Sequence, residues 1–593
     1  MRLFLRLVVL VCFAVPAFAQ ATEVRRFRQW VAGQELGGAE DRTSLEGTAT
    51  QIEHREWINF TRLGIEIQQE IKETSTKNAD GSLHFTWRTQ LSKEPLEGQA
   101  DWSPLRPDEL RVKSDGFEVK VIPMRIGALL WPRDVEDKMR EAARLKRAVK
   151  ISSYSFTTQQ WTELDLNPVG PSPLPGYPDA VLFRGLELGG ATRTETSVWI
   201  SPTRGDLKHT GEIMGLSLVL QRAGLPDPLG STRGMEAFFE QSLKTIPQHP
   251  FQPWLREVLV RWQGAKALNL PEDPQQHQVK PDLFLLKQSP PLKADEAKEL
   301  PVKGKPAKDD APFLAATPLV PFNDPAFDGL IFRLRAPMGA SRWELAQRVT
   351  DFVWEWITQK DYTVGFASAL EVCRNPRGDC TEHGVLAVAL LRKLGVPARG
   401  VVGWMAAGEI LGLHFWVEVK LGHRWVPVDP TFDQAPASAF RLKLGTTDLA
   451  DLGSVGWENA GQVFGGGTWK VEKPDGLKDI HIEGESLRAP DGTRIRVAGS
   501  TWSLGAGLVL HSEGGDLNVS ALPRPYAATL EGTTHLQSGR WKGWWQPKEQ
   551  KLYLDLGDRR WLGVEPLNEK NATEFMEKLE VESPTRKEIL NRE

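Results

Sequence analysis

The chain has 593 residues, of which 40% are hydrophobic and 25% charged, with a formal net charge of −4. It is too long for one hydrophobic core and too apolar for wholesale disorder, so three or four domains are expected. Loss of Arg2 and Arg6 with a cleaved leader would take the charge from −4 to −6, which argues against nucleic acid or an anionic membrane as an electrostatic partner.

Met1 to Arg6 is basic, Leu7 to Val15 is apolar, and Ala17-Phe18-Ala19 ends the run with small-x-small spacing. This pattern predicts a signal peptide over 1–19, cleaved after Ala19, whose apolar run is too short to span a bilayer. The mature chain is then expected in a periplasm or secreted, without a transmembrane segment. It keeps two cysteines, Cys373 and Cys380, so disulfides do not hold the fold together, although a bridge between these two would silence Cys380.

Residues 20–223 read as a β-rich N-terminal domain, with strand-like runs at Leu83 to Leu91, Ala180 to Leu186 and Thr194 to Ile200, and one charged helix from Arg133 to Arg147. Residues 224–263 read as a helical segment. Prolines and charges dominate 264–314, a composition expected to form a linker unable to offset its ordering entropy. A central domain follows over 315–445, where Trp343, Leu345, Ala346, Val349, Phe352, Val353 and Ile357 recur at helical spacing and face a core. Residues 446–566 form a second β-rich region, and 567–593 a charged helix or tail.

The central domain carries the chemistry. In Arg377-Gly378-Asp379-Cys380-Thr381-Glu382-His383-Gly384, Asp379 can cap a helix and Glu382 completes a pattern close to a capping box, which makes Cys380 a first-turn residue. A thiol there gains from the helix dipole and from free backbone amides. Downstream, alternation puts His414, Trp416 and Glu418 on one strand face and Leu413, Phe415, Val417 and Val419 on the other. The turn at Leu421-Gly422 returns the chain so that Asp429 ends beside His414. Cysteine, histidine and aspartate in that order are the parts of an activated nucleophile: a thiol, a base, and a carboxylate that orients the base.

These stretches, with Ser368 to Val372, Ala389 to Arg399, His414 to Val419 and Trp425 to Thr431, resemble the transglutaminase-like superfamily of papain-type thiol enzymes over about a hundred residues. The resemblance implies a central α+β domain with a helix-borne cysteine on an antiparallel sheet, flanked here by β-rich domains in a multidomain α+β chain. It implies Cys380 as nucleophile, His414 as general base and acid, and Asp429 as orienter. Protein or peptide amide groups are the implied substrates, with cross-linking, deamidation and hydrolysis all open. The competing class is a non-enzymatic envelope binding or assembly protein built on the same scaffold.

Trp404 and Trp416 are candidates to wall a substrate groove. No cofactor or metal is expected: there is no HExxH motif, cysteine-rich zinc pattern or EF-hand loop. The calcium dependence of animal transglutaminases is not carried over, since no acidic cluster aligns with their ion sites. The sequence carries no signal of oligomeric state.

Overall fold

In the strand Leu83–Gln90 every second side chain, Leu83, Phe85, Trp87 and Thr89, is buried, as alternation demands of a sheet with one covered face. This strand belongs to the first of several antiparallel sheets in a computed structural model of the chain. The structure describes residues 21–583 except 32, 63–64, 91–94, 115, 157–158, 190–191, 214–215, 229–242, 247–248, 265–267, 269, 360–366, 451–466, 474–479, 505–506, 513–514 and 527–528. The expected signal peptide, and residues 229–242 of the expected helical segment, lie outside the described residues.

Fourteen strands, β1 to β14, run from Ala21 to Arg222 as one sheet. Its first strand, Ala21–Val31, pairs with its last, Leu216–Arg222, so the free edges are two mid-sequence strands, Lys120–Pro123 and Val149–Ser155. Between these edges in sequence lies helix α1 (Pro132–Leu145). The sheet is strongly curved, since Phe156, just beyond one edge strand, stacks on Phe85 and Trp87 from the other half. Helix α1 buries Met139, Ala142 and Ala143 against Phe183, Val198 and Ile200, while Glu136 pairs with Arg25 at 2.8 Å.

Two expectations for the following segment are corrected. Within 224–263, β15 (Lys244–Thr245) and β16 (Glu257–Gln263) are strands. Within the expected linker, β17 (Gln276–Lys280) and β18 (Leu283–Lys287) are strands too, followed by a single-turn helix α2 (Ala294–Ala297). Average composition concealed a local pattern. Val258, Val260 and Trp262 alternate on one strand and supply one apolar face together with Phe284 and Leu286, while Pro281 sits in the turn between β17 and β18.

The central domain is layered. Strands β19 (Ala398–Ala407), β20 (Ile410–Leu421), β21 (Arg424–Val428) and β22 (Arg441–Thr447) join β15 in a sheet ordered β15-β20-β19-β22, with β21 on β20. Helices α3 (Ala326–Leu334), α4 (Arg342–Trp356), α5 (Ala369–Arg374) and α6 (Cys380–Lys393) cover one face through a core that includes Val349, Val353, Leu386, Leu390, Phe415 and Val417. A second sheet, ordered β17-β18-β16-β23 with β23 at Thr468–Lys473, packs on the central sheet through Trp404, Leu442, Phe284 and Trp469. The domain core thus draws on segments before and after it in sequence.

Strands β24 to β34, from His481 to Glu582, form a seven-stranded and a four-stranded sheet around one further core. Of the region expected to be a charged helix or tail, residues 567–583 are integral to it, and 584–593 lie outside the described residues. Helix α7 (Glu569–Lys578) buries Phe575 and Met576, and Leu579–Glu582 pairs with Arg494–Val497. Among the described residues no helix is long and apolar enough to cross a membrane.

Candidate active site

Asp379 is the N-cap of α6: its Oδ1 accepts from the Thr381 amide at 3.0 Å, and Glu382 Oε2 accepts from the Asp379 amide at 2.9 Å. The capping box puts Cys380 in the first turn, half-buried against the helical core. Two glycines of the motif have steric reasons. Gly378 has φ +148°, and a Cβ there would meet the Glu382 side chain at 2.3 Å. A Cβ on Gly384 would lie 2.3 Å from the Phe415 ring, which also excludes a Cβ on Gly400 at 2.3 Å. Phe415 therefore fills a slot between α6 and β19, and the helix that carries Cys380 sits close on the strand that carries His414.

Glu382 is fully buried, and burial, followed by the Asp379 charge, raises its carboxyl pKa well above the ordinary range. His383 is also buried, with Nδ1 2.6 Å from the Asp379 carbonyl, to which it donates; His423 lies exposed in the β20–β21 turn. Cys373 is buried on α5 and burial pushes its thiol up. Both cysteines are free thiols.

His414 and Asp429 come together as strand pairing requires. Val417 faces Val428 across β20 and β21, so the next residue, Asp429, reaches His414: Nε2 is 2.8 Å from Oδ2. The Asp429 side chain is 0% exposed. Its Oδ2 also accepts from Arg441 Nη2 at 2.7 Å, and its Oδ1 from the Thr431 amide at 3.0 Å. Burial alone would raise this carboxyl, but the charges and hydrogen bonds of His414 and Arg441 outweigh it and hold Asp429 well below the usual carboxylate range. The His414 ring lies between Trp416, at 6.2 Å, and Phe432, at 5.5 Å.

The expected groove-lining tryptophans are corrected. Trp404 is 0% exposed and Trp416 2%: Trp404, level with Leu413 in the register, packs against the second sheet, while Trp416 lies on the opposite face beside the His414 ring. Glu418, on the face of Trp416, is buried as well and pairs with Arg399 at 2.7 Å and with Lys443; Lys443 in turn pairs with Asp273 from the expected linker. Sequence reasoning also missed Arg441. Its signal is a basic residue at the start of the strand after Asp429, which acquires meaning only once β22 is known to lie beside β19.

A second line of similar chemistry, Ser503 Oγ to His511 Nε2 and His511 Nδ1 to Asp516 Oδ1, both 2.7 Å, crosses three strands of the C-terminal region. Burial separates the two. The Asp516 side chain is 68% exposed, where water screens its charge, whereas Asp429 acts in a dry interior. Among the described residues, no group of three or more His, Cys, Asp or Glu side chains is placed to hold a metal ion.

Residues 333–430 match the family model described as the transglutaminase-like superfamily. Among solved structures, a proposed cysteine protease of Cytophaga hutchinsonii matches with 15% identity over 36% of this chain and 87% of its own, at a TM-score of 0.23. A beta-barrel-like domain of unknown function from Brucella abortus matches with 10% identity over 35% of this chain and 100% of its own, at 0.27. A proposed protease of Parabacteroides distasonis matches with 10% identity over 85% and 96%, at 0.18. No curated protein matches the chain. By the family match, residues 333–430 of this mostly β chain are transglutaminase-like.

Proposed function

We propose that Cys380, His414 and Asp429 form the catalytic triad of a thiol enzyme that cleaves amide bonds in proteins or peptides through an acyl-thioester. The observation that carries this reading is the buried bond from His414 Nε2 to Asp429 Oδ2 at 2.8 Å, in a domain whose family is built on a helix-borne thiol. With Nε2 engaged, Nδ1 is the ring nitrogen left for the thiol.

The Cys380 proton passes to His414, and the thiolate adds to the carbonyl carbon. As the C–N bond breaks, His414 returns the proton to the departing amine and the acyl group stays on Sγ. A second nucleophile then gives up its proton to His414 and displaces the thiol, yielding an acid if it is water and a new amide if it is an amine. Ionised Asp429 stabilises the imidazolium throughout. The leader pattern of Met1 to Ala19 supports action outside the cytoplasm, and a mature N-terminus at Gln20 is the checkable consequence.

The test incubates the wild type and Cys380→Ala with envelope proteins and a labelled primary amine, following amine incorporation, ammonia release and new N-termini separately. One of the three should depend on Cys380. Equal signals from both proteins in all three would sink the reading.

A further inference from the structure

Residues far away in sequence grip the turn that supplies Asp429. The turn is closed by two backbone bonds, Asp429 N to Gln434 O at 2.7 Å and Gln434 N to Asp429 O at 3.0 Å. It contains Phe432, which rests on the His414 ring, and Asp433, which has φ +49° and a side chain only 2% exposed. The residues that hold it come from the C-terminal β region. Arg524 Nη1 lies 2.9 Å from Asp433 Oδ2 and 2.6 Å from Asp351 Oδ1, and Nη2 lies 3.0 Å from Glu355 Oε1. Arg559 Nε stands 3.5 Å from Asp433 Oδ1, and its Nη2 donates to the Gln347 carbonyl at 2.6 Å. The Tyr526 hydroxyl donates to the Thr431 carbonyl.

Three carboxylates thus converge on one guanidinium. Arg524 also lies 4.0 Å over the Trp354 ring, on which Tyr526 stacks at 5.5 Å, so its position is fixed by an aromatic base as well as by charge. Without it Asp433 would be buried next to Asp351 with only the longer Arg559 contact, and two neighbouring carboxylates repel. Relief would come from movement of Asp433, and the turn that moves carries Asp429 on one side and Phe432 in the middle.

We propose that Arg524 is a positioning residue for the His414–Asp429 pair, so that the C-terminal β region is a working part of the active centre. This rests on the triad reading above. Arg524 acts through Asp433 and the turn. Tyr526 secures the same turn at Thr431.

The test is the pH profile of Cys380 alkylation by iodoacetamide in the full chain, measured well below the unfolding temperature. The variants are His414→Ala, Arg524→Gln, Arg524→Lys and Tyr526→Phe. Arg524→Gln should slow alkylation at pH 6.5 at least five-fold and move the profile toward that of His414→Ala. Arg524→Lys, which keeps the charge on Asp433, should recover at least half of the loss. Tyr526→Phe leaves the ring stack in place and should show a smaller shift of the same sign, which keeps the inference testable if Arg524→Gln fails to fold. A purely structural Arg524 would lower the melting temperature and leave the profile on that of the wild type. That result, with His414→Ala still displaced, overturns this inference alone. If His414→Ala also overlies the wild type, the triad reading falls and this inference with it.

Discussion

Arg441 and His414 share one oxygen. Both donate to Asp429 Oδ2, at 2.7 and 2.8 Å, inside a protein interior that leaves Asp429 wholly unexposed. The guanidinium keeps the carboxylate charged and stationary, and the imidazole inherits that stillness. Replacing Arg441 by Gln should cost about 3–5 kcal/mol, the loss expected when one partner of a buried ion pair is removed. Urea unfolding measures this. Asp429→Asn should keep the fold but slow Cys380 alkylation near pH 6.5 by about 10-fold or more, since an amide cannot stabilise the imidazolium as a carboxylate does.

Opposite pH slopes are expected from two carboxyls. Asp429 is held below its ordinary range, whereas the unfolded chain protonates it near pH ~3.9. Its stabilisation is therefore complete above about pH 5 and is lost as pH falls through the acid range. Glu382 is raised, so the folded chain keeps a proton that the unfolded chain releases above about pH 4.3. Its contribution falls as pH rises from there toward its folded pKa. Urea unfolding from pH 3 to 8 should show the wild type losing its advantage over Asp429→Asn on acidification. Relative to Glu382→Gln, the wild type should lose ground on alkalinisation.

A single methyl at position 384 should be expensive. Phe415 occupies the space that an alanine Cβ would need, and both helix and strand are fixed by cores on either side. Gly384→Ala should destabilise by about 1–3 kcal/mol, the usual range for overpacking, seen as a lower melting temperature. Gly384→Ala combined with Phe415→Leu should recover part of the loss, which a backbone effect would not do.

The buried charges behind the sheet make a further case. Removing Glu418 alone by substitution to Gln leaves Lys443 inside with Asp273 as its remaining carboxylate and should cost about 3 kcal/mol. Replacing Glu418 and Lys443 together by Leu and Met should cost less than the sum of the single changes, because both single changes already remove the Glu418–Lys443 contact, although Arg399 and Asp273 each still lose a partner. Chemical denaturation of the four proteins in a double-mutant cycle decides it.

Local rules were legible and remote ones were not. The Asp379 cap, the turn at Gly422 and the alternation of β20 depend on neighbours within a few residues, and each can be read from spacing. The cover supplied by β16, β17 and β18 escapes the sequence reading for two reasons: 224–263 reads as helical although Val258, Val260 and Trp262 alternate as a strand, and the proline and charge content of 264–314 is averaged over the short strands it contains. Trp404 and Trp416 read as groove residues because spacing along a strand shows neither the second sheet that packs on Trp404 nor what closes over Trp416 on the opposite face. Arg441, Arg524 and Arg559 reach the site from strands and loops whose positions no local pattern encodes.

The interleaving of the central sheet with its cover bears on how the molecule could be divided. A fragment cut at 315 and 445 would contain the whole family match, yet would lose β16, β17, β18 and β23, leaving Trp404, Leu411 and Leu442 in water along a broad oily wall. Such a fragment should precipitate or pair with itself. The smallest piece expected to stand alone begins before β15 and ends after β23, so the central sheet and its cover enclose the apparent linker.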